Sequence, residues 1–295
     1  MTRADKKNEQ PICTVKLDRF TLTAAGSPPK QISGFKRVKG FRPRPQGKIP
    51  TYSRVQTFCS TSNSARLSLQ YKPVMPWLED LRFTLIADDN DGLTLDQVES
   101  VLAQCSRHKP SMVELACDFG RGSVVNRRFV LQHAKFGKSQ RRNDRGGGTN
   151  LRYGSRKSPK LVRAYDKEAV ACFRVELEIH SPLLRKYGIG TGFELGRLAG
   201  MLVPAHFQFV GVRWDKLRVY LAKKFGQQEG ERIVEEARER AESSVHTATR
   251  YLSRRGVANV HRFVSPLRLN RRLQKAIQCW AKKFPVDEEM VVKTK

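Results

Sequence analysis

Three short stretches place polar residues at every second position on one face: "VELACDF" (113 to 119), "KLVRAYDK" (160 to 167) and, in strict alternation, "FRVELEIH" (173 to 180). A period of two is the period of a β-strand, whose successive side chains point to opposite faces of a sheet. Val113, Leu115, Cys117 and Phe119 therefore share one face, and Glu114 and Asp118 the other. By the same count Arg163, Tyr165 and Lys167 stand together, as do Arg174, Glu176, Glu178 and His180, with Val175, Leu177 and Ile179 opposite. Strands of this kind bury one face on a core and gather their functional groups on the other. Three of them in one sheet would bring a tyrosine, several carboxylates and several cations onto a single polar surface.

The remaining pattern extends the sheet. "CTVKLDRFTLTA" (13 to 24), "YSRVQTFCS" (52 to 60), "ARLSLQY" (65 to 71) and "LRFTLIA" (81 to 87) are rich in Val, Leu, Phe and Thr. Gly, Pro, Ser and Asn clusters separate them, as expected of turns. "TLDQVESVLAQCSR" (94 to 107) has apolar residues at 98, 101, 102 and 105, a helix face with Thr94 or Asp96 as the cap. "SQRRNDRGGGTN" (139 to 150) reads as a charged, Gly-rich loop. After about residue 193 the period changes to 3.6. Trp214, Leu217, Tyr220 and Leu221 form one stripe, residues 230 to 256 read as one long charged helix, and Leu273, Ile277 and Trp280 form another stripe. The expected class is α+β: a mainly antiparallel sheet with packed helices over 1–192, then a helical basic region over 193–295.

Charge narrows the function. Fifty-six Lys and Arg against 28 Asp and Glu give a net +28 over 295 residues, an excess that implies a polyanionic partner. No run approaches 18 apolar residues, and the first residues lack the apolar region of a secretory signal, so the expectation is a cytoplasmic protein away from membranes. The six cysteines are scattered with no CxxC pair, which argues against a zinc ribbon or a disulfide framework.

The chemistry that suits a tyrosine beside carboxylates and cations is phosphoryl transfer on DNA. A phenol with a pKa near 10 needs help to act as a nucleophile at neutral pH. Closely spaced carboxylates offer hard oxygen ligands to Mg²⁺ or Mn²⁺. The cations grip the phosphate backbone and offset transition-state charge. The same residues also fit a structural tyrosine and a solvated strand face.

"YGSRKSPKLVRAYDKEA" followed by "RVELEIH", with "ELACDF" upstream, resembles the plasmid and phage replication initiation factors, the rolling-circle initiators of the Rep trans-acting type. "LDRFTLT" is similar to the opening strand of that family. The resemblance covers residues 111 to 180 and the first strand faintly, and says almost nothing past 195.

It implies a sequence-specific DNA nickase and strand transferase. Tyr165 would attack a phosphodiester and keep the 5′-phosphate, with Arg163 and Lys167 beside it, and the freed 3′-OH would serve a polymerase. It implies Asp118, Glu176 and Glu178 as ligands of Mg²⁺ or Mn²⁺. Glu114 stands where the family often has Asp, which lengthens that side chain. The implied partners are a replication origin, single-stranded or supercoiled, and host helicase and polymerase. The basic run from Gly120 to Lys167 holds 14 Lys or Arg against Asp144 and Asp166. It offers Arg141, Arg142, Arg145, Arg152, Arg156, Lys157 and Lys160 as DNA contacts. His180, on the carboxylate face, is a further ligand candidate, whereas His206 reads as a packed histidine. Two alternatives remain open: a basic DNA-binding protein without catalysis, and a tyrosine recombinase. The second needs a His-x-x-Arg cluster that this chain lacks.

Overall fold

The computed structural model describes residues 13–38, 51–87, 92–105, 107–120, 122–135, 151–154, 158–186 and 207–283. In chain order the first half runs β1 (Cys13–Ala25), β2 (Phe35–Val38), β3 (Tyr52–Ser60), β4 (Arg66–Pro73), β5 (Leu81–Ile86), α1 (Leu95–Leu102) and β6 (Arg107–Gly120). Then come α2 (Arg127–His133), β7 (Ala134–Lys135), β8 (Leu151–Tyr153), β9 (Lys160–Lys167), β10 (Cys172–His180) and α3 (Ser181–Lys186). The last part comprises β11 (Gln208–Val212), α4 (Trp214–Phe225), α5 (Gln227–Ser243), α6 (Val245–Arg254), β12 (Val264–Pro266) and α7 (Leu269–Ala281).

Nine strands form one antiparallel sheet in the order β2-β3-β4-β5-β1-β6-β10-β9-β8. The fold is α+β, as the mixture of periods two and 3.6 implies. One face of the sheet carries the main core, where Leu17, Phe20, Leu22, Phe83, Leu115, Phe119, Val175 and Ile179 are buried. Val98 and Val101 of α1, Leu184 of α3 and Leu273, Ile277 and Trp280 of α7 belong to the same cluster. Thr94 caps α1 in a reciprocal box with Gln97, whose side-chain amide also reaches Ser60 Oγ at 2.9 Å and Asn63 Oδ1 at 2.8 Å. That buried amide ties the helix start to the β3–β4 turn, a role a capping glutamine rarely serves at the surface.

Residues 214 to 263 build a second core from Leu217, Leu221, Ile233, Val234, Ala237, Leu252 and Phe263. Helix α7 does not join it. Its apolar stripe returns to the main sheet, and Asn270 extends the edge of β11 by accepting from Phe209 N–H at 2.8 Å and donating to Phe209 O at 2.6 Å. The expected single helix over 230–256 is two helices. Ser244 adopts an extended backbone and its hydroxyl accepts from Thr247 N–H at 3.0 Å, so it caps α6 and ends α5. A serine that offers the backbone a local alternative partner favours such a break. Strand β2 and helices α2 and α3 are elements that the sequence reading left unassigned. The division expected at 192/193 falls outside the described residues.

Candidate metal and tyrosine site

The polar faces of β6, β10 and β9 do lie side by side. In the ladder Arg174 faces Asp118 on one side and Tyr165 on the other, Glu176 faces Ala116 and Arg163, and Glu178 faces Glu114 and Leu161. The surface is mostly desolvated: Arg174 is 0% exposed, Glu114 1%, Glu176 2% and Asp118 6%. Buried charges on a sheet face persist only when paired, and here the pairing decides which carboxylates remain available.

Asp118 is fully engaged. Arg174 donates to it through Nε at 2.5 Å and Nη2 at 2.7 Å, and Lys16 Nζ approaches Oδ2 at 3.2 Å. Burial works to raise its pKa, but the hydrogen bonds and charge of Arg174, with Lys16, outweigh this and hold the carboxyl below the usual range. Glu178 pairs with His180 at 2.8 Å, and that hydrogen bond is the main reason its pKa is lowered. Both were expected as metal ligands. In the structure Asp118 is held by Arg174 and Lys16, Glu178 lies against His180 with Arg163 Nη2 at 3.8 Å, and neither belongs to the acidic cluster.

The cluster is Asp18, Glu114 and Glu176, whose ligand oxygens all lie within 4.8 Å of one another. Glu114 and Glu176 match the expectation, whereas Asp18 was not anticipated. The cause is a β-bulge: in the β1–β6 register Leu17 faces Leu115 and Arg19 faces Glu114, so Asp18 is the extra residue. A bulge breaks strand alternation and re-aims a side chain. Strict period-two counting misses such a residue. The turn-like Leu-Asp-Arg within an otherwise β-rich run is the only trace it leaves in the sequence.

Two arginines frame the triad. Arg174 Nη1 donates to Asp18 Oδ1 at 2.8 Å and lies 3.9 Å from Glu176 Oε1. Arg163 Nη2 donates to Glu114 Oε1 and sits 2.9 Å from Glu176 Oε2 and 3.8 Å from Glu178 Oε2. Tyr165 donates its hydroxyl to Glu176 Oε1. Glu114 Oε2 and Glu176 Oε2 are buried without a hydrogen-bond partner among the described residues. Burial raises the pKa of Asp18, Glu114 and Glu176, and the nearby carboxylates add to it, above all Glu114 on Glu176. The arginines offset this only in part.

Three clustered carboxylates, all hard oxygen donors, suit a divalent cation, and Arg163 Nη2 stands 2.9 Å from one of those oxygens, Glu176 Oε2. The triad can hold a metal ion, with Asp18, Glu114 and Glu176 as its ligands. The phenol of Tyr165 is also shifted upward, first by burial and then by its bond to Glu176.

Of the other expected residues, Lys167 ends β9 at the rim of this face, opposite Cys172. Arg152 pairs in register with Arg163 on β8, and Lys160 begins β9 with its ammonium pKa lowered by burial. Arg141, Arg142, Arg145, Arg156, Lys157 and His206 lie outside the described residues. The six cysteines are free thiols. Among the described residues no helix is long and apolar enough to cross a membrane. Compared with known proteins, the chain matches no protein-family model and no curated protein.

Proposed function

We propose that the protein is a rolling-circle replication initiator that nicks and rejoins one DNA strand through a 5′-phosphotyrosine on Tyr165. The observation that carries this reading is the hydrogen bond from the Tyr165 hydroxyl to Glu176, a member of the acidic triad. It supports the reading because a nucleophile in covalent catalysis needs a base within hydrogen-bond reach, and Glu176 would be that base beside a cluster that could hold a metal. The likeness of 111 to 180 to the rolling-circle initiators points the same way.

Glu176 accepts the phenolic proton as the Tyr165 oxygen bonds to phosphorus and the bond to the 3′ oxygen breaks. The departing 3′ oxygen takes up a proton, and Glu176 later releases its own, so the cycle is balanced. Arg163, within reach of Glu114 and Glu176, is placed to meet charge that develops on the phosphoryl oxygens. Mg²⁺ or Mn²⁺ at the triad would polarise the phosphate and offset the negative charge that keeps the phenol protonated. Rejoining is the reverse, with the 3′-OH attacking the phosphotyrosine. An origin of replication is the proposed DNA partner, host helicase and polymerase the proposed protein partners, and the cytoplasm the proposed compartment.

One observation favours a second reading, a basic DNA-binding protein without catalysis. The raised pKa of Tyr165 is the opposite of what an activated nucleophile needs, and a buried tyrosine bonded to glutamate is also a structural motif. Denaturing electrophoresis separates the two. A labelled single-stranded origin oligonucleotide incubated with the protein and Mg²⁺ should give an SDS-resistant band carrying the 3′ fragment, and Tyr165→Phe should give none. A band carrying the 5′ fragment would reverse the polarity to that of a recombinase. Absence of a band across candidate origins, with binding intact, would establish the second reading.

A further inference from the structure

The same polar sheet face continues beyond the triad, across β1 to β2, and its chemistry changes there. From residue 19 to residue 78 the chain contains eleven Lys or Arg and no Asp or Glu. The register turns this stretch into ordered rows. One row runs from Glu114 of β6 through Arg19, Ile86, Arg66 and Cys59 to Lys36 at the edge. The next runs through Thr21, Thr84, Ser68 and Thr57 to Val38. Five strand spacings of about 4.8 Å separate Glu114 from Lys36, so the rows extend roughly 24 Å from the acidic triad.

Three features of these rows point to a ligand. Arg66 and Lys36 are exposed, and among the described residues the ion pair of Arg19 is the long one to Glu114, at 3.8 Å. The hydroxyl row is incompletely satisfied: Thr21 Oγ1 donates to Thr84 Oγ1 at 3.4 Å, but Thr57 Oγ1, in a residue 6% exposed, has no hydrogen-bond partner among the described residues. Arg19 Nε and, beside the rows, Arg82 Nε are also buried without a hydrogen-bond partner among the described residues. Orphaned polar atoms of this kind call for an explanation. Finally, Ile86 and Val38 are 37% and 39% exposed within the same rows, giving apolar surface between cations.

We infer that this shelf binds the unpaired DNA strand leading into the triad, with Arg19, Arg66 and Lys36 on its phosphates. This inference rests on the nickase reading for the identity of the strand. Cations and hydroxyl donors suit phosphates, while Ile86 and Val38 offer contact to sugars and base faces. The triad belongs to this sheet face, so a phosphate must approach over that face to reach it. An unpaired strand can lie flat along the rows, whereas a duplex touches a flat sheet with few of its phosphates.

The test needs no catalysis. In EDTA, binding of a fluorescent single-stranded oligonucleotide to Tyr165→Phe protein is followed by anisotropy across a salt series. Adding Lys36→Ala and Arg66→Ala should weaken binding about tenfold and flatten the log K against log salt slope by about 1.4, at roughly 0.7 per single-strand phosphate contact. Both residues are exposed, so the fold should be unchanged. A control removing the exposed Lys223 and Lys282 should alter the slope less. Equal effects of the two pairs, or a loss confined to duplex DNA, would overturn the shelf. Shelf-dependent binding without any adduct in wild-type protein would overturn the nickase reading alone. Adduct formation by the wild-type protein, together with undiminished affinity in the shelf variant, would overturn the shelf alone.

Discussion

The sheet face around Arg174 and the surface of α5 use the same side chains to opposite effect. On α5, Arg232 pairs with Glu229 at 2.6 Å and Glu236 at 3.0 Å, and Arg238 pairs with Glu235 at 2.7 Å. These pairs follow helical spacing, stand in water and are screened by it. On the sheet, Arg174 is wholly buried and forks onto Asp118 while reaching Asp18. There, removing one partner strands the other in a medium that cannot solvate it. Contact distances are similar in the two places, so distance alone does not tell what a pair is worth. Burial does.

The largest effect should come from breaking the buried set. Arg174→Ala leaves Asp118 and Asp18 without their main cation and should cost about 3–5 kcal/mol in urea unfolding. Replacing Arg174 by Met together with Asp118 by Leu should be less harmful than Arg174→Ala, because Asp118, the more buried of the two carboxylates, is then no longer left without its arginine. Equal losses in the two variants would show that Arg174 acts through packing rather than charge. Arg232→Ala, its counterpart on α5, should leave the unfolding midpoint nearly unchanged.

A smaller effect separates the triad from the rest of the network. Asp18→Asn keeps the side-chain shape but removes a ligand charge. It should weaken binding of Mn²⁺, read by calorimetry, by about an order of magnitude, on the scale that even supporting residues of metal sites show. Asp118→Asn should change Mn²⁺ affinity less than Asp18→Asn does. If the order is reversed, the ligand set is the one read from the strand pattern and not the bulged one.

The smallest effect concerns pH. Folded-state pKa values of Asp18, Glu114 and Glu176 are raised above their unfolded values, so the folded state binds the extra protons. Their contribution is fully present below about pH 4 and is lost as pH rises through the raised folded values. Asp118 and Glu178 act in the other direction, adding stability that disappears as pH falls through their lowered values. In EDTA the melting temperature should therefore decline as pH rises from about 5 toward neutrality, and Mn²⁺ should reduce that decline. A profile that rises over this window without metal would contradict the electrostatics of the triad.

Much of the site was legible before the fold. Tyr165, Arg163, Glu114 and Glu176 declare themselves through alternation, because a regular strand shows its faces in its sequence. The stripes of α4 and α7 are legible in the same way. The break at Ser244 was less so, since a serine inside a charged helical run is compatible with either outcome. Asp18 was hidden because a bulge inverts the alternation from which faces are inferred, and bulges depend on the partner strand.

By itself, then, the chain's residue pattern determined that a mainly antiparallel sheet would form, that one face of it would be polar, and that the whole would carry a large positive charge. Those properties are local or additive: periodicity, turn chemistry and summed charge. Only the tertiary structure decided which carboxylates meet in a cluster that could hold a metal. That choice turns on the pairing of strands distant in sequence, with Arg174 on β10 reaching Asp118 on β6 and Asp18 on β1. It turns also on burial, which makes each such pairing count.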